Sequence, residues 1–147
     1  MEERWYPHVT VASIARQGDR YLMVRETYRG NTVINQPAGH IEKGESFEQA
    51  VIRETLEETG WEFFPQYVSG IYHFIAGNGE TYLRLTYVGD VGRQLTTELD
   101  PTIDEALWLT RQEITNSGYN LRSQVVIRCI EDFEAGQNIP GECIKCL

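Results

Sequence analysis

At 147 residues, with 41% hydrophobic and 24% charged residues, the chain is long enough to bury a core without disulfide or metal staples and has the composition of an ordinary globular protein. A formal net charge of -9 and a pI near 4.8 argue against a nucleic-acid groove or an anionic membrane surface as the main partner. The first residues, Met-Glu-Glu-Arg-Trp-Tyr-Pro, lack an apolar signal core, no run approaches the roughly 20 apolar residues of a membrane span, and the odd set Cys129, Cys143 and Cys146 implies no disulfide framework. The expected location is therefore cytoplasmic and reducing.

His8 to Ala15 is β-branched and apolar enough for a central strand. Gln17-Gly18-Asp19 is a turn signal, and Tyr21 to Glu26 reads as the returning strand, which predicts a hairpin. Tyr28 to Asn31 is a polar loop, and Val33 to Gln36 a short strand stopped by Pro37. Gly39 and Gly44 bracket the entry to a helix predicted over Phe47 to Thr59: Ser46 and Gln49 have the spacing of a capping box, and Gly60 supplies the left-handed stop.

Beyond the helix, Phe63 to Ile75, interrupted at Ser69-Gly70, and Thr81 to Val88 read as antiparallel strands joined at Gly77-Asn-Gly79. Gly89 to Thr102, with its Gly, Pro, Asp and Thr, reads as a loop, and Ala106 to Leu109 as the last strand. A short helix follows from about Thr110. Ser123 is placed to cap a final helix through Val125, Val126, Cys129, Ile130 and Phe133, ended by Gly136, with an irregular tail from Gln137. The pattern predicts one α/β domain over residues 1–147 with a mixed sheet.

The helix from Phe47 carries an unusual stripe. At 3.6 residues per turn Phe47, Ala50, Val51, Glu54, Glu57 and Glu58 share one face, so the apolar anchor continues into three carboxylates. Like charges at i,i+4 oppose a helix by roughly 0.2 to 0.5 kcal/mol, and desolvating ionised carboxylates costs several kcal/mol more. A hard divalent cation with oxygen ligands offsets both. On spacing alone, a solvated acidic face and a metal cradle remain equally open. Arg53, four residues before Glu57, is placed to hold that carboxylate.

The spelling Gly39-x5-Glu45-x7-Arg53-Glu54-x2-Glu57-Glu58-x-Gly60 resembles the Nudix box of the Nudix hydrolase superfamily. Thr55 and Trp61 stand where the family usually has aliphatic residues, which questions local packing rather than chemistry. The resemblance implies the Nudix fold, an α/β/α sandwich with a mixed sheet. It implies Mg²⁺, with Mn²⁺ as a substitute in vitro, held by Glu54, Glu57, Glu58 and the Gly39 carbonyl, with Glu45 in the wider shell. Arg53 would orient these groups, and Glu57 is named as general base, a role that varies across the superfamily. Many relatives bring a further acid from the loop before the last strand. Of Glu98, Asp100, Asp104 and Glu105, Asp104 is chosen because it adjoins the Trp108 strand.

Pro7 to Ala12, Asn35 to His40 and Asn120 to Ser123 resemble the bacterial Nudix phosphatase NudJ group, which acts on nucleoside di- and triphosphates and thiamine-type pyrophosphates and releases orthophosphate. That resemblance implies a small phosphoanhydride substrate. Eleven of the 13 basic residues are Arg, suited to bidentate phosphate contact. Arg25, Arg84 and Arg122 are the candidates, with Gln36 and His40 beside the substrate and Tyr28, Trp108 or Tyr119 available to stack on a ring. His8 and His73 read as packing or surface residues. The competing reading is a catalytically silent Nudix-like module that binds a nucleotide or a protein. Cys143-x-x-Cys146 has half the spacing of a zinc site, but no second pair completes it. The oligomeric state is open between monomer and dimer.

Overall fold

The structure, a computed structural model, describes residues 2–116 and 118–147. In chain order the strands are β1 (His8–Ile14), β2 (Arg16–Gln17), β3 (Arg20–Tyr28), β4 (Asn31–Asn35) and β5 (Ala38–His40), followed by helix α1 (Phe47–Thr59). Then come β6 (Trp61–Ile75), β7 (Thr81–Gln94), β8 (Ile103–Thr110), α2 (Arg111–Asn116), β9 (Asn120–Leu121), α3 (Val125–Glu134) and β10 (Ile139–Pro140), with a 3-10 turn over Gly141–Cys143. One sheet runs β10-β6-β7-β1-β5, and a second runs β2-β3-β4-β9 with β8 also paired to β3. Both are mixed: β1 runs parallel to β7 and β4 parallel to β9, while the other pairs are antiparallel.

Helices cover both sides of these strands, which makes the molecule an α/β/α sandwich. Ala50 and Val51 of α1 pack with Val11, Phe63, Leu85 and Tyr87 in one core cluster. Val126, Cys129 and Ile130 of α3 pack with Ile14, Met23, Ile34 and Ile114 in the other. Burial on both faces explains why β1 reads as a nearly continuous apolar run.

Helix α1 has the predicted bounds because its ends are chemically marked. Ser46 Oγ accepts from Gln49 N at 3.1 Å and Gln49 Oε1 accepts from Ser46 N at 2.9 Å, and Gly60 stops the helix at φ 78°. Elsewhere the structure corrects the expectations. The hairpin expected of His8 to Ala15 with Tyr21 to Glu26 forms only at its turn, where β2 pairs with the start of β3 and Leu22 N donates to the Ala15 carbonyl at 3.0 Å; β1 itself pairs β5 and β7, and β3 pairs β4 and β8 in the second sheet. Strand periodicity reports which residues are buried, not which strand they meet.

Residues 89–94 extend β7 rather than open a loop. A Cβ on Gly89 would overlap the Phe64 carbonyl, and one on Gly92 would crowd the Phe64 ring, so these glycines serve close backbone approach within the β6–β7 ribbon. Ala106 to Leu109 lies within β8, and β9 and β10 follow it. The tail is pinned by β10, whose Ile139 and Pro140 pair with Val68 and Tyr67. Helix α3 begins after Gln124 without a side-chain cap, although Ser123 Oγ accepts from Val125 N at 3.3 Å. Among the described residues no helix is long and apolar enough to cross a membrane, and Cys129, Cys143 and Cys146 are free thiols.

Candidate functional site

Arg53 is the hub of the acidic stripe. Its Nε and Nη2 grip Glu45 at 2.7 and 2.9 Å, Nη1 donates to Glu54 at 2.9 Å and to Glu57 at 3.2 Å, and Nη2 also donates to the His40 carbonyl at 3.1 Å. One guanidinium therefore ties the glycine loop, the first carboxylates of the stripe and strand β5 into a single frame, using the planar fork that Lys lacks. The Arg53 hydrogen bond holds the Glu45 carboxyl below its ordinary range. Hydrogen bonding to Glu45 and then Glu54 pushes the Arg53 pKa further up.

Glu54 and Glu58 lie deeper. Glu58 is 8% exposed and accepts from the Ala38 N–H at 2.9 Å. Burial raises its pKa to about 9, against the opposing Ala38 hydrogen bond, and the neighbouring Glu54 charge adds to the rise. Burial likewise raises Glu54, which the Arg53 hydrogen bond opposes. A Cβ at Gly39 would overlap the Glu54 carboxylate, so only glycine lets that group lie against the β5 backbone. Glu57 is the open member, with 47% of its side chain exposed.

The donor chemistry suits a hard divalent cation: carboxylates from α1 and the β5 backbone, two of them costly to ionise without a counter-charge. Among the described residues no three His, Cys, Asp or Glu side chains already converge as a coordination sphere. Filling it draws on Glu57 and on solvent or substrate oxygens, as Mg²⁺ sites commonly do.

Of the acids between β7 and β8, the structure brings Asp100 toward the stripe. Its N–H donates to the Glu57 carbonyl at 2.7 Å, and its charge acts on both Glu54 and Glu58. Asp104, the residue chosen from sequence, instead accepts from Thr27 Oγ1 at 2.9 Å and lies near Glu26. Closeness in sequence to Trp108 favoured Asp104, but it is the backbone of Asp100, at the start of the turn closed by Ile103 N to Asp100 O at 2.9 Å, that meets α1, while the Asp100 carboxylate accepts from Thr102 N and Oγ1 at 2.8 and 2.6 Å.

Next to the stripe lies a cleft of about 240 Å³, whose lining includes Ala38, Gly39, His40, Arg84, Arg122 and Tyr28. Glu54, Glu57 and Glu58 line neither this cleft nor the larger concavity of about 1000 Å³ between β6 and α3, but the smaller cleft is walled by Ala38, which donates to Glu58, and by Gly39, which lies against Glu54. Arg122 stacks over Tyr28 with its guanidinium carbon 3.3 Å from the ring centroid and faces Glu26 at 3.8 Å. His40 Nε2 lies 2.9 Å from His8 Nδ1, and His8 pairs with Glu80 at 2.7 Å while stacking on Tyr82. Burial, then the adjacent His8, lowers the His40 pKa.

Two sequence candidates do not line this cleft. Arg25 pairs with Glu105 at 2.9 Å across β3 and β8, since strand alternation turns it away from its neighbour Glu26. Gln36 is 1% exposed and sits behind Arg84, to which it is bonded. Trp108 packs edge-on against Trp61, 5.7 Å between centroids, and Tyr119 joins the α3-side core. Sequence reasoning missed Glu26, Phe74 and Tyr82, all in the cleft lining. No local signal marked them, because three different strands bring them there.

The comparisons agree with this geometry. A family model described as NUDIX domain matches residues 6–128. Phosphatase NudJ of Escherichia coli (strain K12) is 36% identical over 139 residues, covering 94% of this chain and 90% of the relative. A NUDIX hydrolase from Nitrosomonas europaea superimposes with TM-score 0.92 at 43% identity, over 97% of this chain and 98% of that one. The NUDIX domain of Shewanella oneidensis NrtR, solved with ADP ribose, shares the fold at TM-score 0.75 and 15% identity, over 90% of each chain. With the Arg53-held carboxylates set against Gly39 and a family match spanning most of the chain, the protein belongs to the NUDIX domain family and is a Nudix hydrolase.

Proposed function

We propose that this hydrolase uses Mg²⁺, with Mn²⁺ substituting in vitro, to cleave a phosphoanhydride bond in small nucleoside di- or triphosphates or thiamine-type pyrophosphates, releasing orthophosphate. The observation that carries the reading is the frame in which Arg53 holds the half-buried Glu54, the Ala38 N–H holds the buried Glu58 and Glu57 faces solvent at the same stripe. A bound divalent cation would supply charge neutralisation of the phosphoryl oxygens and acidification of a water. Glu54, Glu58, Glu57 and the Gly39 carbonyl would hold it.

The chain's own residues do the rest. Glu57 takes the proton of the attacking water, because it is the carboxylate of the stripe that water reaches. Arg53 and Glu45 fix the rotamers of the carboxylates and hold the loop on β5. Asp100 adds negative charge at the far end of the stripe. Arg122, braced on Tyr28, offers a cation at the cleft side, and His40 stands at its edge. The name of the NudJ relative, a phosphatase, supports orthophosphate as product. Two core clusters built on shared strands β1, β3 and β7 support reading residues 1–147 as one domain.

The test is a product assay over nucleoside di- and triphosphates and thiamine-type pyrophosphates, separating orthophosphate from pyrophosphate with and without Mg²⁺. Glu57→Gln is expected to abolish turnover with the fold intact. Full activity in that variant would sink the assignment of the base. No phosphate release across the panel, with tight nucleotide binding retained, would favour the silent binding module.

A further inference from the structure

Away from the carboxylate stripe, the second half of β6 has a bare edge. β7 pairs with one side of this strand from Trp61 to Ile75, whereas β10 meets the other side only at Val68 and Tyr67. Among the described residues no strand pairs with that side from Gly70 to Ile75. The hairpin contact fixes which backbone groups are left open. Ala76 N donates to the Glu80 carbonyl at 2.9 Å, and bonded and non-bonded positions alternate from there, so Tyr72 and Phe74 bond to β7 while Ile71, His73 and Ile75 turn their N–H and C=O groups outward. Their side chains are exposed as well, with Ile71 at 53% and Ile75 at 71%.

Natural edge strands are commonly blunted by Lys, Pro, charge or a bulge. The stretch Gly-Ile-Tyr-His-Phe-Ile from Gly70 to Ile75 contains no Lys, Pro or acid, and its register with β7 is regular throughout. Beside it lies the concavity of about 1000 Å³ between β6 and α3, which gives an added strand room. Tyr72, Phe74 and Ile127, all partly buried against the α3-side core, offer that strand an apolar wall.

The order of residues along the edge selects the occupant. Ile71-Tyr72-His73-Phe74-Ile75 reads aliphatic, aromatic, imidazole, aromatic, aliphatic in either direction. An isologous antiparallel pair needs that symmetry, because one patch must complement itself across a two-fold axis. With the axis at His73, Ile71 faces Ile75 of the second copy, Tyr72 faces its Phe74, and the two His73 residues face each other. The three outward-turned positions then become bonded pairs, roughly six backbone hydrogen bonds at two per pair. The net charge of -9 opposes self-association, but the stretch itself carries no acid, and charges elsewhere are screened beyond about 8 Å at physiological ionic strength.

We propose that the Gly70-to-Ile75 edge of β6 is a homodimer interface, in which a second copy adds its own β6 antiparallel, centred on His73 and seated beside α3. The interface is independent of the reaction assigned to the cleft. It bears on that cleft through Phe74, which lines both the cleft and the concavity, so the second copy steadies one cleft wall.

Sedimentation velocity of the full chain, over roughly micromolar to millimolar concentrations, tests this. The mass of wild type should rise from 16.9 kDa toward twice that value as concentration increases. Ile71→Lys combined with Ile75→Lys sets like charges opposite each other at both ends of the pairing and should weaken association by about 100-fold. His73→Pro removes the central donors without removing a bond to β7, since that N–H points away from β7, and should weaken association by about 10-fold. Leu95→Lys, at a site 51% exposed and off this edge, should associate as wild type does. Circular dichroism and the melting temperature in dilute solution establish that the variants are folded.

Hydrogen exchange supplies the register. With rising concentration the Ile71, His73 and Ile75 amides should gain protection, while those of Tyr72 and Phe74 are protected throughout. In a Cys143→Ser, Cys146→Ser background, His73→Cys should form an intermolecular disulfide under air oxidation, because Cα atoms of a bonded pair lie about 5.5 Å apart, within disulfide range. A chain that stays monomeric over the whole range overturns the proposal, even where the edge captures a strand of another protein. So does a dimer that survives in the folded double-lysine variant, or one that leaves the Ile71, His73 and Ile75 amides unprotected.

Discussion

The hydroxyls of Thr55 on α1 and Ser13 on β1 lie 2.9 Å apart, and both residues are essentially sealed from solvent, at 0% and 1% exposure. Thr55 departs from the aliphatic residue usual in its box position. The departure is matched across the helix–sheet contact by a second hydroxyl, and Thr55 also donates to the Val51 carbonyl at 2.7 Å.

Thr55→Val restores the usual chemistry at one position and strands Ser13 without a partner. It should destabilise by about 1 to 3 kcal/mol, whereas Thr55→Val with Ser13→Ala should be close to neutral. Chemical denaturation of the two singles and the double completes the cycle. Additive losses would show that the hydroxyls do not act as a pair.

Gly39→Ala tests the cradle for Glu54. The added methyl meets only the end of a flexible side chain, so the fold should survive with little change in melting temperature. The Glu54 carboxylate must move, and divalent-cation affinity should fall by about 10-fold or more. Calorimetry with Mn²⁺ reads this directly; wild-type affinity would remove Gly39 and Glu54 from the same site.

Arg53→Lys keeps the charge and loses the fork that spans Glu45, Glu54 and Glu57. A drop in activity of about 10- to 100-fold is expected, close to that of Arg53→Ala. Near-wild-type activity in the lysine variant would mean that charge alone, not bidentate geometry, holds the stripe.

Glu58 sets a pH dependence in metal-free protein. Its folded pKa, raised mainly by burial to about 9 from 4.5, lies above the unfolded value, so the folded state holds a proton that the unfolded chain releases. The resulting stabilisation is complete below about 4.5 and is lost as pH rises through about 9. With chelator present, melting temperature should fall across that window, and Glu58→Gln should flatten the slope. Adding Mg²⁺ at the alkaline end should recover stability, because the cation binds the ionised form. A wild-type slope that matches Glu58→Gln would refute the assignment.

Much of the frame was readable in one dimension. Helix α1 was legible to the residue because Ser46, Gln49 and Gly60 act through bonds spanning a few positions, and the acidic stripe followed from helical geometry alone. Of the hairpin expected for His8 to Ala15 with Tyr21 to Glu26, only the turn end formed, and β1 went to the other sheet, because apolar strands bury equally well in either one. Asp104 was preferred to Asp100 because the backbone bond that ties Asp100 to Glu57 of α1 leaves no compositional trace.

The sequence by itself determined the chemistry at short range: which carboxylates share a helix face, where that helix starts and stops, and that Arg53 can reach Glu57. Only the tertiary structure decided which cations join them. Arg84 and Arg122 come to the cleft from β7 and the segment after β9, while Arg25 is turned away to Glu105. Local hydrogen bonds and side-chain periodicity are encoded over a turn or two of chain, but a cleft is assembled by strand order and register across the sheet, and those are settled by the packing of the whole core.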